Sequence, residues 1–347
     1  MRNLFTRTLT LAVIAALTLL SSCGKSDSAS SSSGGGNAGD GKIKIVYIPK
    51  NTGNPYFMPM IDGFKKAADE TGMEFTTVGP ADASPTSQIS LVKAQIQRGA
   101  KVIAISPNSP EALNATLEEA MQDRVAVITV DSDLTGNEQY RNAAVLTVDP
   151  ETVGKSQIEL MGSLIGYKGK FAILSATTDA PNQNVWIDYM KQALKDPKYK
   201  DMELVGVVYG NDEAQKSASE TEALLTKYPD LKGIIAPTTV GVRAAAQAVE
   251  SAKKSDQVQV TGLGMPNEMR GFIKNGSVKA FALWSPYDEG YLAGHLAYQI
   301  ASGKLTPAPG NKFTAGKLGE REFRDKSIVI TGPPVTFTKD NIDQYQF

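Results

Sequence analysis

The stretch Val125-Ala126-Val127-Ile128-Thr129-Val130-Asp131-Ser132-Asp133 decides the fold: an apolar, mostly β-branched run that stops at two carboxylates. A short continuous apolar run closed by polar residues is the pattern of a strand buried on both faces of a parallel sheet. Sheets of that kind bind ligands in the crevice beyond the carboxyl ends of their strands, which puts Asp131 at the rim of a cleft.

Working outward, strand and helix patterns alternate. Ile43 to Ile48 reads as a strand, and Phe57, Ile61, Phe64 and Ala68 then recur at helical spacing before Gly72. Phe75 to Val78 and Val102 to Ile105 are further strands, with a helix between them opened by Ser84-Pro85 and one after them opened by Ser109-Pro110. Asp149-Pro150 caps a new helix and the alternation restarts with strands at Lys170–Ser175, Glu203–Val208, Gly233–Ala236, Gln257–Leu263 and Ser277–Leu283. One more helix, Tyr287 to Ser302, precedes a Pro/Gly-rich segment, a strand-like Ser327–Phe337 broken by Pro333-Pro334, and a short helix, Lys339 to Tyr345. Repeated β-α units predict an α/β protein of two Rossmann-like lobes with parallel sheets, hinged about a cleft.

The 347 residues are 41% hydrophobic and 21% charged, enough for two lobes that each bury a core. Against 36 Lys+Arg stand 37 Asp+Glu, so the near-neutral chain has no electrostatic reason to take a nucleic-acid partner. Arg2 and Arg7, the apolar Leu9 to Leu20 and the small residues before Cys23 form a secretory signal, too short to span a membrane. Its end, Leu20-Ser21-Ser22-Cys23, resembles a bacterial lipobox, which implies a signal over 1–22 and lipid on Cys23; the alternative is an ordinary signal with an incidental cysteine. Residues 23–41 are Ser/Gly-rich and read as a flexible tether, so the expected product is exported and lipid-anchored, in the periplasm or at the cell surface.

Enzyme chemistry finds little to use. The one histidine, His295, lies in an apolar-striped helix, and without further cysteines or a histidine cluster there are no ligands for a zinc or transition-metal site. No phosphate-binding Gly-Lys-Ser/Thr loop and no Gly-x-Ser-x-Gly elbow occurs. Asp131 and Asp133, two apart on a strand, would point the same way at about 7 Å, whereas glycosidase carboxyls flank their bond from opposite sides. Binding is better served: Lys50 and Asp131, at the ends of two strands, give a donor and an acceptor on opposite flanks of a small polyol. Lys50 can equally be read as a solvated loop lysine, and Phe57 both as a sugar-facing ring and as the start of a core stripe.

At this point the residues resemble a family. The order Ile48-Pro49-Lys50, Asn54-Pro55-Tyr56-Phe57 and Val130-Asp131-Ser132-Asp133 is similar to the periplasmic sugar-binding proteins of the ribose type. Asn182-Gln183-Asn184 with Trp186, Tyr228-Pro229-Asp230-Leu231, Ile234 to Thr239, Gly262 to Asn267, Leu283-Trp284 and Lys339 to Tyr345 continue it, closest to the branch of rhamnose-binding and autoinducer 2-binding proteins of ABC importers. The resemblance implies a non-enzymatic, cofactor-free monomer whose partners are a monosaccharide and an importer permease. It implies three crossing segments, with a first lobe of 42–148 plus about 285–312 and a second of 149–284 plus about 313–347. Lys50 would be a donor, Asp131 the main acceptor, Asn182 and Gln183 second-lobe amides, Thr239 a hydroxyl contact, and Phe57 and Trp284 apolar walls; Asp133, Pro237 and Asn267 complete the candidates. The autoinducer 2 binders' second-lobe acid falls on Asn182 and their alanine on Thr239, departures that argue against autoinducer 2; Asn182-Gln183 and Pro237-Thr238-Thr239 resemble instead the rhamnose-binding relatives, with autoinducer 2 or another monosaccharide such as ribose as the alternative. A further departure is Ser285, where the rhamnose-binding relatives carry an acid.

Overall fold

The computed structural model describes residues 42–347; the signal segment, Cys23 and the tether lie outside them. In chain order the first half comprises β1 (Lys44–Ile48), α1 (Phe57–Thr71), β2 (Glu74–Thr77), α2 (Pro85–Gln97), β3 (Val102–Ile105), α3 (Asn114–Gln122), β4 (Ala126–Val130), β5 (Ala143–Leu146), α4 (Pro150–Ile165), β6 (Gly169–Ser175) and α5 (Pro181–Ala193). The second half comprises β7 (Met202–Tyr209), α6 (Ala214–Lys227), β8 (Leu231–Ala236), α7 (Thr239–Ser251), β9 (Gln259–Gly262), α8 (Pro266–Asn275), β10 (Phe281–Leu283), α9 (Pro286–Ala301), β11 (Lys312–Thr314), β12 (Glu320–Glu322), β13 (Ile328–Ile330) and β14 (Val335–Phe337).

Two parallel sheets carry the lobes. The first runs β13-β5-β4-β3-β1-β2 and the second β7-β6-β8-β9. The VAVITVDSD stretch supplies β4 in the middle of the first sheet, pairing with β3 and β5. All four residues of β3 and of β5 are buried, as the absence of alternation predicts for strands covered on both faces. The caps follow the sequence: Asp149 accepts from the backbone N–H groups of Glu151 and Thr152 at the start of α4, and Gly72 ends α1 at φ 74.

The chain passes between the lobes three times: from β5 into α4, from β10 into α9, and from β13 into β14. The second passage returns α9 to the first lobe, where it lies along α1 at a distance only glycine permits. A Cβ on Gly290 would sit 2.0 Å from Met60 O, and one on Gly63 2.1 Å from Tyr287 O.

Three expectations are corrected. The tail from about 313 does not lie wholly with the second lobe: the β-branched Ile328-Val329-Ile330 pairs parallel to β5 as an edge of the first sheet. Pro333-Pro334, unable to donate to a ladder, mark where the chain leaves that sheet, and β14 then pairs antiparallel with β10. The helix expected from Ser109 starts at Asn114, because the Ser109 hydroxyl takes the N–H groups of Glu111 and Ala112 in a turn. The terminal helix shrinks to one 3-10 turn, Ile342–Gln344.

Candidate functional site

A cavity of about 510 Å³ lies between the carboxyl ends of the two sheets. Both lobes line it. Lys50, Asn54, Tyr56, Phe57, Asn108 and Asp131 come from the first; Asn182, Gln183, Trp186, Asp212, Pro237, Thr238 and Thr239 come from the second, with Leu283 and Trp284 at the second crossing.

Asp131 leaves the strand geometry at once. Its φ of 67 is left-handed, a conformation Asp tolerates better than most residues, and its carboxylate is turned into the cavity while its N–H still bonds Val145 O. Tyr56 Oη lies 3.0 Å from Asp131 Oδ1, Asn182 Nδ2 donates to Asp131 Oδ2 at 3.2 Å, and Lys50 Nζ stands 3.9 Å from Oδ2. Lys50 Nζ itself donates to Asn182 Oδ1 at 2.7 Å. The triangle Lys50–Asp131–Asn182 therefore joins the lobes with a donor, an acceptor and an amide that is both. Burial pushes the Asp131 carboxyl up against the opposing pull of Lys50, and burial lowers the Lys50 ammonium against the pull of Asp131. Lys50 is only 8% exposed, which excludes the solvated-loop alternative.

The second lobe adds a carboxylate that sequence reasoning missed. Asp212 accepts from Asn54 Nδ2 at 2.8 Å, Asn51 Nδ2 at 3.2 Å and the Thr238 hydroxyl. Asn51 and Asn54 belong to the first lobe, so Asp212 is a second tie across the cleft. The available signal was Gly210-Asn211-Asp212 at the end of β7: Asn211 and Asp212 take φ of 55 and 59, values those residue types accept most readily. Thr239 completes this tie by donating to Asn54 Oδ1 at 2.7 Å.

Other expected residues divide. Gln183 is anchored through Oε1, which accepts from Ser175 Oγ at 2.7 Å and Ala176 N at 2.8 Å. Phe57, Trp186 and Trp284 form aromatic walls, the two indoles meeting edge to face with centroids 5.7 Å apart. Asp133 does not line the cavity: Arg141 takes both its oxygens, at 2.5 and 2.6 Å, and Thr129 Oγ1 donates at 2.7 Å, so it braces the strand tip instead. Asn267 is also displaced from the site. It is exposed at the start of α8, accepts from Arg270 Nη2 at 2.7 Å and bonds Phe347 O through its N–H. Ser285 caps α9 by accepting from Asp288 N. Among the described residues no cluster of three or more His, Cys, Asp and Glu could hold a metal ion.

Against this geometry, residues 45–305 match the periplasmic binding protein domain. A sugar ABC transporter structure from Actinomyces odontolyticus is 41% identical, covering 89% of this chain and all of that one at a TM-score of 0.70. A solute-binding protein from Clostridium phytofermentas, solved with bound L-rhamnose, is 32% identical over 88% of this chain and 98% of that one, at a TM-score of 0.84. The D-ribose/D-allose-binding protein of Pseudomonas aeruginosa is 27% identical over 70% of this chain and 76% of its own. Fold, cleft and likeness agree: this chain belongs to the periplasmic binding protein family, among its ribose-type sugar-binding members, and is a binding protein rather than an enzyme.

Proposed function

We propose that this chain is the sugar-capturing component of an ABC importer and that its ligand is a small neutral sugar, with L-rhamnose first among the candidates. The observation that carries the reading is the inter-lobe cavity, where one ammonium, Lys50, faces two carboxylates, Asp131 and Asp212, between aromatic walls. Two carboxylates against one ammonium repel an anionic ligand, whereas donors and acceptors from both lobes suit a ring of hydroxyls and the walls suit its apolar face. Asn182, Gln183 and Thr239 at the second-lobe contacts, and the likeness to the L-rhamnose-bound protein, support rhamnose.

In this reading Lys50 donates to the sugar, Asp131 and Asn182 accept and donate from opposite lobes, Gln183 adds its amide N–H, Thr239 its hydroxyl and Pro237 a rigid edge, while Phe57 and Trp284 stack. Because the sugar bridges the lobes, it binds the closed state better and shifts the population toward it. The chain works as a monomer held to the membrane by lipid on Cys23, which Cys23→Ala tests by releasing it into the soluble fraction.

Calorimetric titration with L-rhamnose, D-ribose and autoinducer 2 decides the ligand. L-Rhamnose is expected to bind at least about tenfold tighter than the others, a difference of about 1.4 kcal/mol. Heat with autoinducer 2 alone would transfer the assignment to that signal, the ligand of a Clostridium saccharobutylicum protein 25% identical to this chain at a TM-score of 0.83. No heat with any sugar refutes the reading.

A further inference from the structure

Beneath the cavity, one hydroxyl serves three partners. Trp284 Nε1 lies 2.7 Å from Tyr56 Oη, Asp131 Oδ1 lies 3.0 Å from it, and so does Glu289 Oε2. An indole N–H can only donate, and a phenol has a single proton. Only one of the two carboxyl groups can therefore receive that proton; the other makes a hydrogen bond only by donating, as an acid.

The surroundings decide which. Asp131 Oδ2 faces Asn182 Nδ2 and the Lys50 ammonium, the donors a charge needs. Glu289 is fully buried on α9, and its second oxygen, Oε1, has no donor. An ionised group there would carry charge on an oxygen without a partner, whereas a neutral acid leaves only a carbonyl unpaired.

We propose that Glu289 keeps its proton at neutral pH, donates it to Tyr56, and so commits the Tyr56 proton to Asp131 Oδ1. Glu289 is a positioning residue for the sugar site proposed above, and the inference rests on that reading only for its effect on affinity. The result is directional: Tyr56 holds Oδ1 and Asn182 holds Oδ2, so the carboxylate is presented to the ligand in one fixed orientation.

The groups facing Glu289 agree. Tyr56 precedes α1, Tyr47 lies on β1, Asp131 follows β4 and Lys50 follows β1; β3 and β5 carry only apolar, non-titrating side chains. Burial first, and then the Asp131 carboxylate, push the Glu289 carboxyl well above the ordinary range, against weaker pulls from Tyr56, the Asp131 N–H and Lys50.

The first test is independent of any ligand. Infrared difference spectra of the whole protein at neutral pH should show a protonated-carboxyl C=O band that Glu289→Gln removes; an unchanged spectrum overturns the proposal even if sugar binding is confirmed. The second uses L-rhamnose as probe. Glu289→Leu, which cannot donate, is expected to weaken binding about tenfold, and Glu289→Gln, whose amide N–H replaces the acid's O–H, to rescue it. As pH rises through the elevated value, the wild type loses its donor and binds less well than the glutamine variant. Lys50 deprotonates in both, so their affinity ratio is the readout. A glutamine variant as weak as the leucine one, or superimposable pH profiles, overturns the assignment; if the leucine variant fails to fold, the spectrum and the glutamine profile still decide.

Discussion

Replacing Asp131 by asparagine should separate binding from folding. The oxygen most at stake is Oδ2, which is turned toward Lys50 and Asn182, while Oδ1 is held by Tyr56. A hydrogen bond to a charged group contributes about 1.5–3 kcal/mol, and the substitution also leaves the buried Lys50 ammonium without its nearest counter-charge. Asp131→Asn is therefore expected to weaken L-rhamnose binding by about 2–3 kcal/mol, roughly 30- to 150-fold, by calorimetry at pH 7. Stability should fall less than for alanine, since relief of the buried Asp131 charge offsets part of the loss of Lys50's partner. Burial raises the Asp131 carboxyl above its ordinary value, so the folded state disfavours the charge that asparagine removes. Asparagine also accepts the backbone φ of 67, whereas Asp131→Ala adds left-handed strain of about 1–2 kcal/mol. The thermal midpoint should thus drop less for asparagine than for alanine. Affinity within threefold of the wild type, or an asparagine variant less stable than the alanine one, would refute the reasoning.

Other expectations follow from the same geometry. Asp212→Asn keeps its φ of 59 but removes a charged acceptor for Asn51, Asn54 and Thr238; small-angle scattering should show a larger open population, and sugar affinity should fall about tenfold. An unchanged scattering profile would mean that Asp212 does not hold the lobes together. Gly290→Ala, whose Cβ would meet Met60 O at 2.0 Å, should cost about 3 kcal/mol in urea denaturation by forcing α9 off α1. Glu159 is held down to about 2 by Lys198, Tyr167 and Tyr199; a depressed carboxyl stabilises above its unfolded value of 4.5 and loses that contribution as pH falls toward 2. The site is nearly half exposed, so Glu159→Gln should cost at most about 1 kcal/mol at pH 7, and the difference should vanish near pH 2.

The sheets were legible because buried parallel strands write themselves as continuous apolar runs, and the cleft because ligand sites lie at their carboxyl ends. Lys50 and Asp131 could be found that way, each following such a run. Asp133 could not be told from Asp131: its partner Arg141 arrives from beyond the strand, and the turn at Asp131 sends neighbouring side chains to different places. Asn267 lay in a matching motif, but the C-terminal residues Tyr345 and Phe347 fix that end of α8 away from the cleft. Asp212 and Glu289 escaped notice for opposite reasons, one in a polar turn that looked like ordinary punctuation, the other as a lone acid in a helix whose burial only the third dimension reveals. β13 was misassigned because local pattern identifies a strand and says nothing about which sheet it joins.

That return of the chain has a consequence for how the protein is made. The first lobe contains β1, yet it also needs α9 and β13; Tyr56 meets Glu289 across 233 residues, and the edge strand ends at Ile330. A chain delivered N-terminus first across a membrane therefore cannot finish its first lobe until nearly all of it has arrived. Closing such distant contacts is slow, because the loop entropy must be met before the contacts form. The topology that lets two lobes share one cleft thus also keeps the polypeptide from folding early, which is the condition for passing through a narrow channel.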